Sequence, residues 1–147
     1  MINKKYLKNL RCKEINNKND FIFNIYNERI IDSLDIIKLN FKKILFLGNH
    51  GKKIHKYINK RYKESKVTIY DFKNENNKTY KKNSKFFNID LDLWSPKNNQ
   101  FDLIISNFYL NISDNIEKVL KKILKSLSPN GFFIATMPSP ENFNILK

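Results

Sequence analysis

The sequence predicts an α/β fold built on a parallel sheet, and three observations carry that reading. After residue 40, short apolar runs alternate with amphipathic stretches of helical period. That alternation is the signature of strands joined by helical crossovers on the faces of a sheet. Gly48, Asp71, Asp90 and Asn107 fall at or just past the ends of four separate runs. Ligands of such sheets lie outside the carboxyl ends of the strands. The chain is also apolar enough to fold as one domain: 41% of its 147 residues are hydrophobic and 14% aromatic.

Residues 1–19 are polar and lysine-rich and read as a basic flexible arm, leaving 20–147 as the domain. Asp20 can cap a helix within 20–38, where Phe21, Ile25, Ile30, Leu34 and Ile37 recur at helical spacing. The sheet core is expected between 43 and 138. "KKILFL" runs into Gly48 and reads as a buried strand near 43–47. "KKIHKYINKRY" sets Ile54, Tyr57, Ile58 and Tyr62 on one face of a basic helix near 53–62, with His55 on the basic side. "KVTIYD" and "KFFNID" are strands near 66–70 and 86–89. "FDLIISN" is apolar enough to be central, near 101–106. Ser113 or Asp114 can cap the next helix, near 115–127, and Pro129 with Gly131 stops it. "GFFIATMP" closes the series near 131–137. Trp94 and Phe101 read as cover for the sheet edge.

Charge and cysteine usage narrow the function classes. The net charge is +14, and residues 52–82 carry 11 basic and three acidic side chains. Such a cluster invites a nucleic-acid partner. The chain also holds 25 Lys, 23 Asn and 20 Ile, residues favoured by A/T-rich codons, and composition alone explains much of the excess. The single cysteine, Cys12, excludes an internal disulfide framework. No metal site is expected: two histidines, His50 and His55, are too few, and Asp90 with Asp92 lacks supporting ligands. No run is long enough for a membrane span, and no secretory signal opens the chain, so a cytoplasmic location is expected, or the mitochondrial matrix in a eukaryote.

From Lys43 to Pro138 the order of signals resembles the class I S-adenosylmethionine-dependent methyltransferases. The stretch "FDLIISNFYLNISDNIEKVLKKILKSLSPNGFFIATMP" looks like that family's fourth strand, loop, helix, proline-x-glycine turn and fifth strand. "DFIFNIYNERIIDSLDIIKLNFKKILFLGNHG" is similar to the leader helix and first strand of the mitochondrial and alphaproteobacterial complex I assembly-factor branch, relatives of the malonyl-carrier-protein methyltransferases. The resemblance implies a Rossmann-like methyltransferase fold with strand order 3-2-1-4-5, here truncated after strand five. It implies S-adenosylmethionine as cofactor, held by Gly48, Asn49, Gly51, Asp71, Asp90 and Asn107. The glycine turn would approach the methionine part, Asp71 the ribose hydroxyls, and Asp90 the adenine, with Asn107 near the methyl-transfer locus. Methyl transfer to an acceptor, protein or small molecule, would follow; some relatives of the assembly factor are thought to hydroxylate arginine instead.

The chain departs from the family pattern in its turn. Phe46 stands where an acid is common, and His50 and Lys52 stand where glycines are common. Gly48 and Gly51 also suit a plain strand-to-helix turn. The residues name no catalytic base. Two further readings follow. One is a catalytically inactive assembly or interaction subunit, with a protein partner or self-association at the edge of strand five. The other is an RNA-binding relative that uses the cluster at 52–82.

Overall fold

A computed structural model describes residues 3, 5, 21–48, 52–71 and 84–137. The expected arm, but for residues 3 and 5, lies outside that set, as do Asn49, His50 and Gly51 of the turn. Five strands form one sheet: β1 (Lys43–Leu47), β2 (Lys66–Asp71), β3 (Ser84–Asn88), β4 (Phe101–Asn107) and β5 (Leu127–Thr136). They lie in the order β3-β2-β1-β4-β5, and every neighbouring pair is parallel. Three α-helices are described, α1 (Phe21–Ile36), α2 (Lys52–Arg61) and α3 (Ile116–Ser126), with a 3-10 turn at Leu110–Ile112.

The period of two along the strands sorts their side chains into two cores. Ile44, Phe46, Ile69, Leu103 and Ile105 pack with Ile30 and Leu34 of α1 and Ile54 and Ile58 of α2. Leu45, Leu47, Tyr70 and Ile104 pack with Val119 and Ile123 of α3 and with Leu91 and Trp94 of the crossover before β4. Both faces of the central strands are therefore covered, which is why these runs are apolar throughout. Trp94 and Phe101 differ from expectation. They are buried on the face of the sheet, with Trp94 5.8 Å from the ring of Tyr70, because the crossover after β3 lies over that face without a helix of its own.

Polar contacts tie the helices together. Arg61 donates to Asp35 Oδ1 at 2.6 Å and to the carbonyl of Ile37 at 2.7 Å, and Tyr57 donates to the same carboxylate at 2.7 Å. Lys53 pairs with Glu28. The buried stripe of α1 differs from the sequence reading. It runs through Asn27, Ile30 and Leu34, while Ile25 is 36% exposed.

The end of α3 differs too. Its N-cap is Asn115, whose Oδ1 accepts from the Lys118 N–H at 3.0 Å; Ser113 instead accepts from the Asn115 N–H. The helix stops at Ser126, before Pro129, and Leu127 is already extended and paired with Phe101. The register then jumps to Leu103 opposite Phe132, so residues 128–131 bulge out of the ladder. Gly131 sits where this bulge folds back. A Cβ there would lie 3.0 Å from the carbonyl oxygen of Ser128 and 3.2 Å from that of Asp102. Both oxygens are backbone and cannot yield alone. Gly131→Ala is expected to destabilise the fold by about 1–3 kcal/mol, the usual range for overpacking. Urea denaturation checks this, and an unchanged midpoint would contradict it.

Candidate cofactor site

The register aligns three of the expected site residues. Leu47 of β1 lies opposite Tyr70 of β2 and Ser106 of β4. The next residues, Gly48, Asp71 and Asn107, therefore stand at one level on adjacent strands. With strands about 4.8 Å apart, Asp71 and Asn107 are separated by roughly 10 Å across Gly48. Asp90 follows two residues after β3, one strand further out.

Gly48 leaves the sheet with φ near 90°, a conformation that glycine tolerates and other residues resist. Its N–H donates to the carbonyl of Tyr70 at 2.7 Å, so the turn begins from a fixed point. Asp71 is fully buried, and its carbonyl accepts from the Ile89 N–H at 3.3 Å, which ties β2 to the residue after β3. Asp90 is half-buried. It shares a groove of about 420 Å³ with Tyr70, Ile89, Leu93 and Trp94. Burial raises the Tyr70 phenol above its ordinary range, so this wall stays neutral. Ser106, one residue before the β4 end, is buried, and its hydroxyl has no hydrogen-bond partner among the described residues.

Asn107 stands at the level of the site, but its side chain is engaged by the fold. Its Nδ2 donates to Asn27 Oδ1 at 2.9 Å and reaches the Phe23 carbonyl at 3.5 Å. Its Oδ1 accepts from the Thr136 hydroxyl. Asn27 and Asn107 are both fully buried. The next residue, Phe108, has φ of 53°, an outlier for a bulky side chain. Its N–H donates to the Thr136 carbonyl at 3.0 Å, and its ring packs edge-on against Tyr26 and Phe23, at 4.5 and 5.9 Å. The contacts of α1 and β5 hold this backbone where a free chain would not remain.

His55 differs from the sequence reading. It lies inward, 3% exposed, with its ring 4.4 Å from that of Phe46. Burial lowers its pKa from 6.5 to about 4, so at neutral pH it is an uncharged core residue. Among the described residues no group of His, Cys, Asp and Glu is arranged to hold a metal ion, and no helix is long and apolar enough to cross a membrane. Sequence reading missed Asn27 and Thr136, and weighed Asp92 only as half of a metal pair with Asp90. Asn27 had a signal: it is an asparagine four residues after Phe23 and three before Ile30, inside a helix stripe that is otherwise apolar.

Comparison with known proteins agrees with this geometry. A family model described as a methyltransferase domain matches residues 48–143. The chain belongs to this methyltransferase family, and its sheet is that of the class I S-adenosylmethionine-dependent enzymes. The plantazolicin methyltransferase BpumL, solved with SAH and a monoazolic desmethylPZN analogue, has a TM-score of 0.69 at 18% identity, covering 91% of this chain and 54% of its own. An S-adenosylmethionine-dependent methyltransferase from Mesorhizobium loti has a TM-score of 0.57 at 16% identity, covering 76% and 52%. A Haloferax volcanii putative methyltransferase complex with the Trm112 activator has a TM-score of 0.58 at 13% identity, covering 72% and 50%. The chain thus spans about half the length of these solved relatives. No curated protein matches it.

Proposed function

We propose that this chain binds S-adenosylmethionine across the carboxyl ends of β1, β2 and β4 and serves methyl transfer to an acceptor. The observation that carries the reading is the buried Asp71 carboxylate beside the positive-φ turn at Gly48. A carboxylate at the end of β2, level with the glycine turn, stands where ribose hydroxyls are held in such sheets. The turn from Gly48 to Gly51 would hold the methionine part, where a side chain at residue 48 would crowd the backbone's approach. Asp90 and its groove would receive the adenine. The hydroxyl of Ser106, without a hydrogen-bond partner among the described residues and beside Leu47 on β4, offers a further polar contact.

The cofactor, when bound, supplies an electrophilic methyl group on sulfur. The chain's own residues bind and orient, and holding methyl and acceptor in line is itself a large part of such catalysis. No described residue is placed as a general base. The resemblance of residues 20–51 supports placement near the complex I assembly-factor and malonyl-carrier-protein branch, in a reducing compartment, with a protein or small molecule as acceptor. Calorimetric titration with SAH tests the reading. Asp71→Ala is expected to weaken binding by about 1–3 kcal/mol, the usual loss when buried hydroxyls go unpaired. Equal affinity in the variant would place the ribose elsewhere.

A second reading, an interaction subunit, is favoured by β5. It is an edge of the described sheet, and it exposes Phe132 at 37% just before the exposed Met137. Such an edge suits strand addition by a partner or by a second copy of the chain.

A further inference from the structure

We infer that Asp92 is a positioning residue that sets the nucleoside end of the site by clasping the loop after β3 to the loop after β4. The inference rests on the cofactor reading above. The crossover from β3 to β4 carries Asp90 and has no helix of its own to stiffen it. Asp92, two residues on, makes the connection. Its Oδ1 accepts from the Ser113 hydroxyl at 2.6 Å and from the Asn115 N–H at 3.3 Å. Its Oδ2 accepts from the Asp114 N–H at 3.0 Å. These donors precede α3, where the helix dipole also favours a negative charge. Bonds to an ionised acceptor are the strong kind.

The clasp is coupled to Asp90 directly. The Asp92 N–H donates to Asp90 Oδ1 at 3.0 Å, so the two acids share one turn. Lys122 of α3 donates to the Asp92 carbonyl at 2.7 Å, closing the connection from the other side. Leu91 and Trp94 anchor the loop below by burial, but burial alone is non-directional and does not fix where Asp90 points. Without the carboxylate, the loop would spend part of its time away from the binding position. Apparent affinity falls in proportion to the fraction of competent molecules.

The test is titration of the full chain with SAH and, separately, with adenosine, for wild type, Asp92→Asn and Ser113→Ala. Circular dichroism and thermal melts establish that each variant is folded at the temperature used. Asp92→Asn turns an amide toward groups that are themselves donors. Its dissociation constants for SAH and for adenosine are expected to rise together, by about tenfold, since both ligands need the nucleoside end. Ser113→Ala removes one bond of the clasp and is expected to raise both by about threefold. This variant decides the matter if Asp92→Asn does not fold. A lower melting temperature with unchanged dissociation constants would make Asp92 merely structural and overturn the inference. So would a loss for SAH with none for adenosine. A wild-type chain that binds neither ligand would overturn the cofactor reading itself, and the role of the clasp with it.

Discussion

Asn107→Leu is expected to lower the stability of the fold by about 3 kcal/mol, because it takes a bond from buried Asn27 and from half-buried Thr136 at once. Asn27 Oδ1 would lose the Asn107 N–H it accepts from at 2.9 Å, and the Thr136 hydroxyl would lose its Asn107 acceptor. A buried polar group left without its partner costs about 1–3 kcal/mol. Leucine is close in size, so the loss reports the bonds rather than a cavity. The double variant Asn27→Leu/Asn107→Leu should be less destabilised than the sum of the two singles, since each change removes a group that the other strands. Urea denaturation of the three variants checks this. A loss below about 1 kcal/mol for Asn107→Leu would show that the amide is not buried and paired as described.

Acid should unfold the chain through His55. In the folded protein its pKa is about 4, against 6.5 for a free imidazole, because burial against Phe46 disfavours the charged ring. Between those values the unfolded state binds more protons than the folded one, so stability rises with pH across the window. The contribution is fully present above pH 6.5 and is lost as pH falls toward 4. The difference corresponds to about 3 kcal/mol. Stability measured at pH 7 and pH 4 should fall by that amount more in the wild type than in His55→Leu. Parallel pH curves for the two would contradict the buried, neutral assignment.

The sheet was legible because each strand is an apolar run closed by a polar or glycine residue, and Ile44–Leu47 and Leu103–Ile105 are buried on both faces. The run alone identifies such strands, and the alternation with helices leaves few orders for them. The strand-end residues were legible for the same reason: a polar residue after an apolar run marks where a strand stops. The structure places Gly48, Asp71 and Asn107 at one level, as that rule requires. The buried face of a short helix was harder to read. His55 and Ile54 are adjacent and both lie inward, because α2 rests against the broad ring of Phe46 and presents a wide face. An imidazole in a lysine-rich helix reads as polar until that packing is known. The bonds of the Asp92 clasp and those joining Asn27, Asn107 and Thr136 were illegible for another reason. They join residues far apart in the chain, and a lone polar pair leaves no period to detect. The early start of β5 was hidden by Pro129 and Gly131, which look like a helix stop but form a bulge.

The central claim is that the cofactor lies across the strand ends that carry Gly48, Asp71 and Asp90. Amide proton–nitrogen spectra of the chain titrated with SAH test it most directly, because they locate the ligand residue by residue. The account predicts shifts concentrated at Gly48, Asp71, Ile89 to Asp92 and Asn107 to Tyr109, with the opposite edge of the sheet at Lys43, Lys66 and Phe101 unmoved. Shifts confined to that opposite edge, or none at saturating SAH, would contradict it.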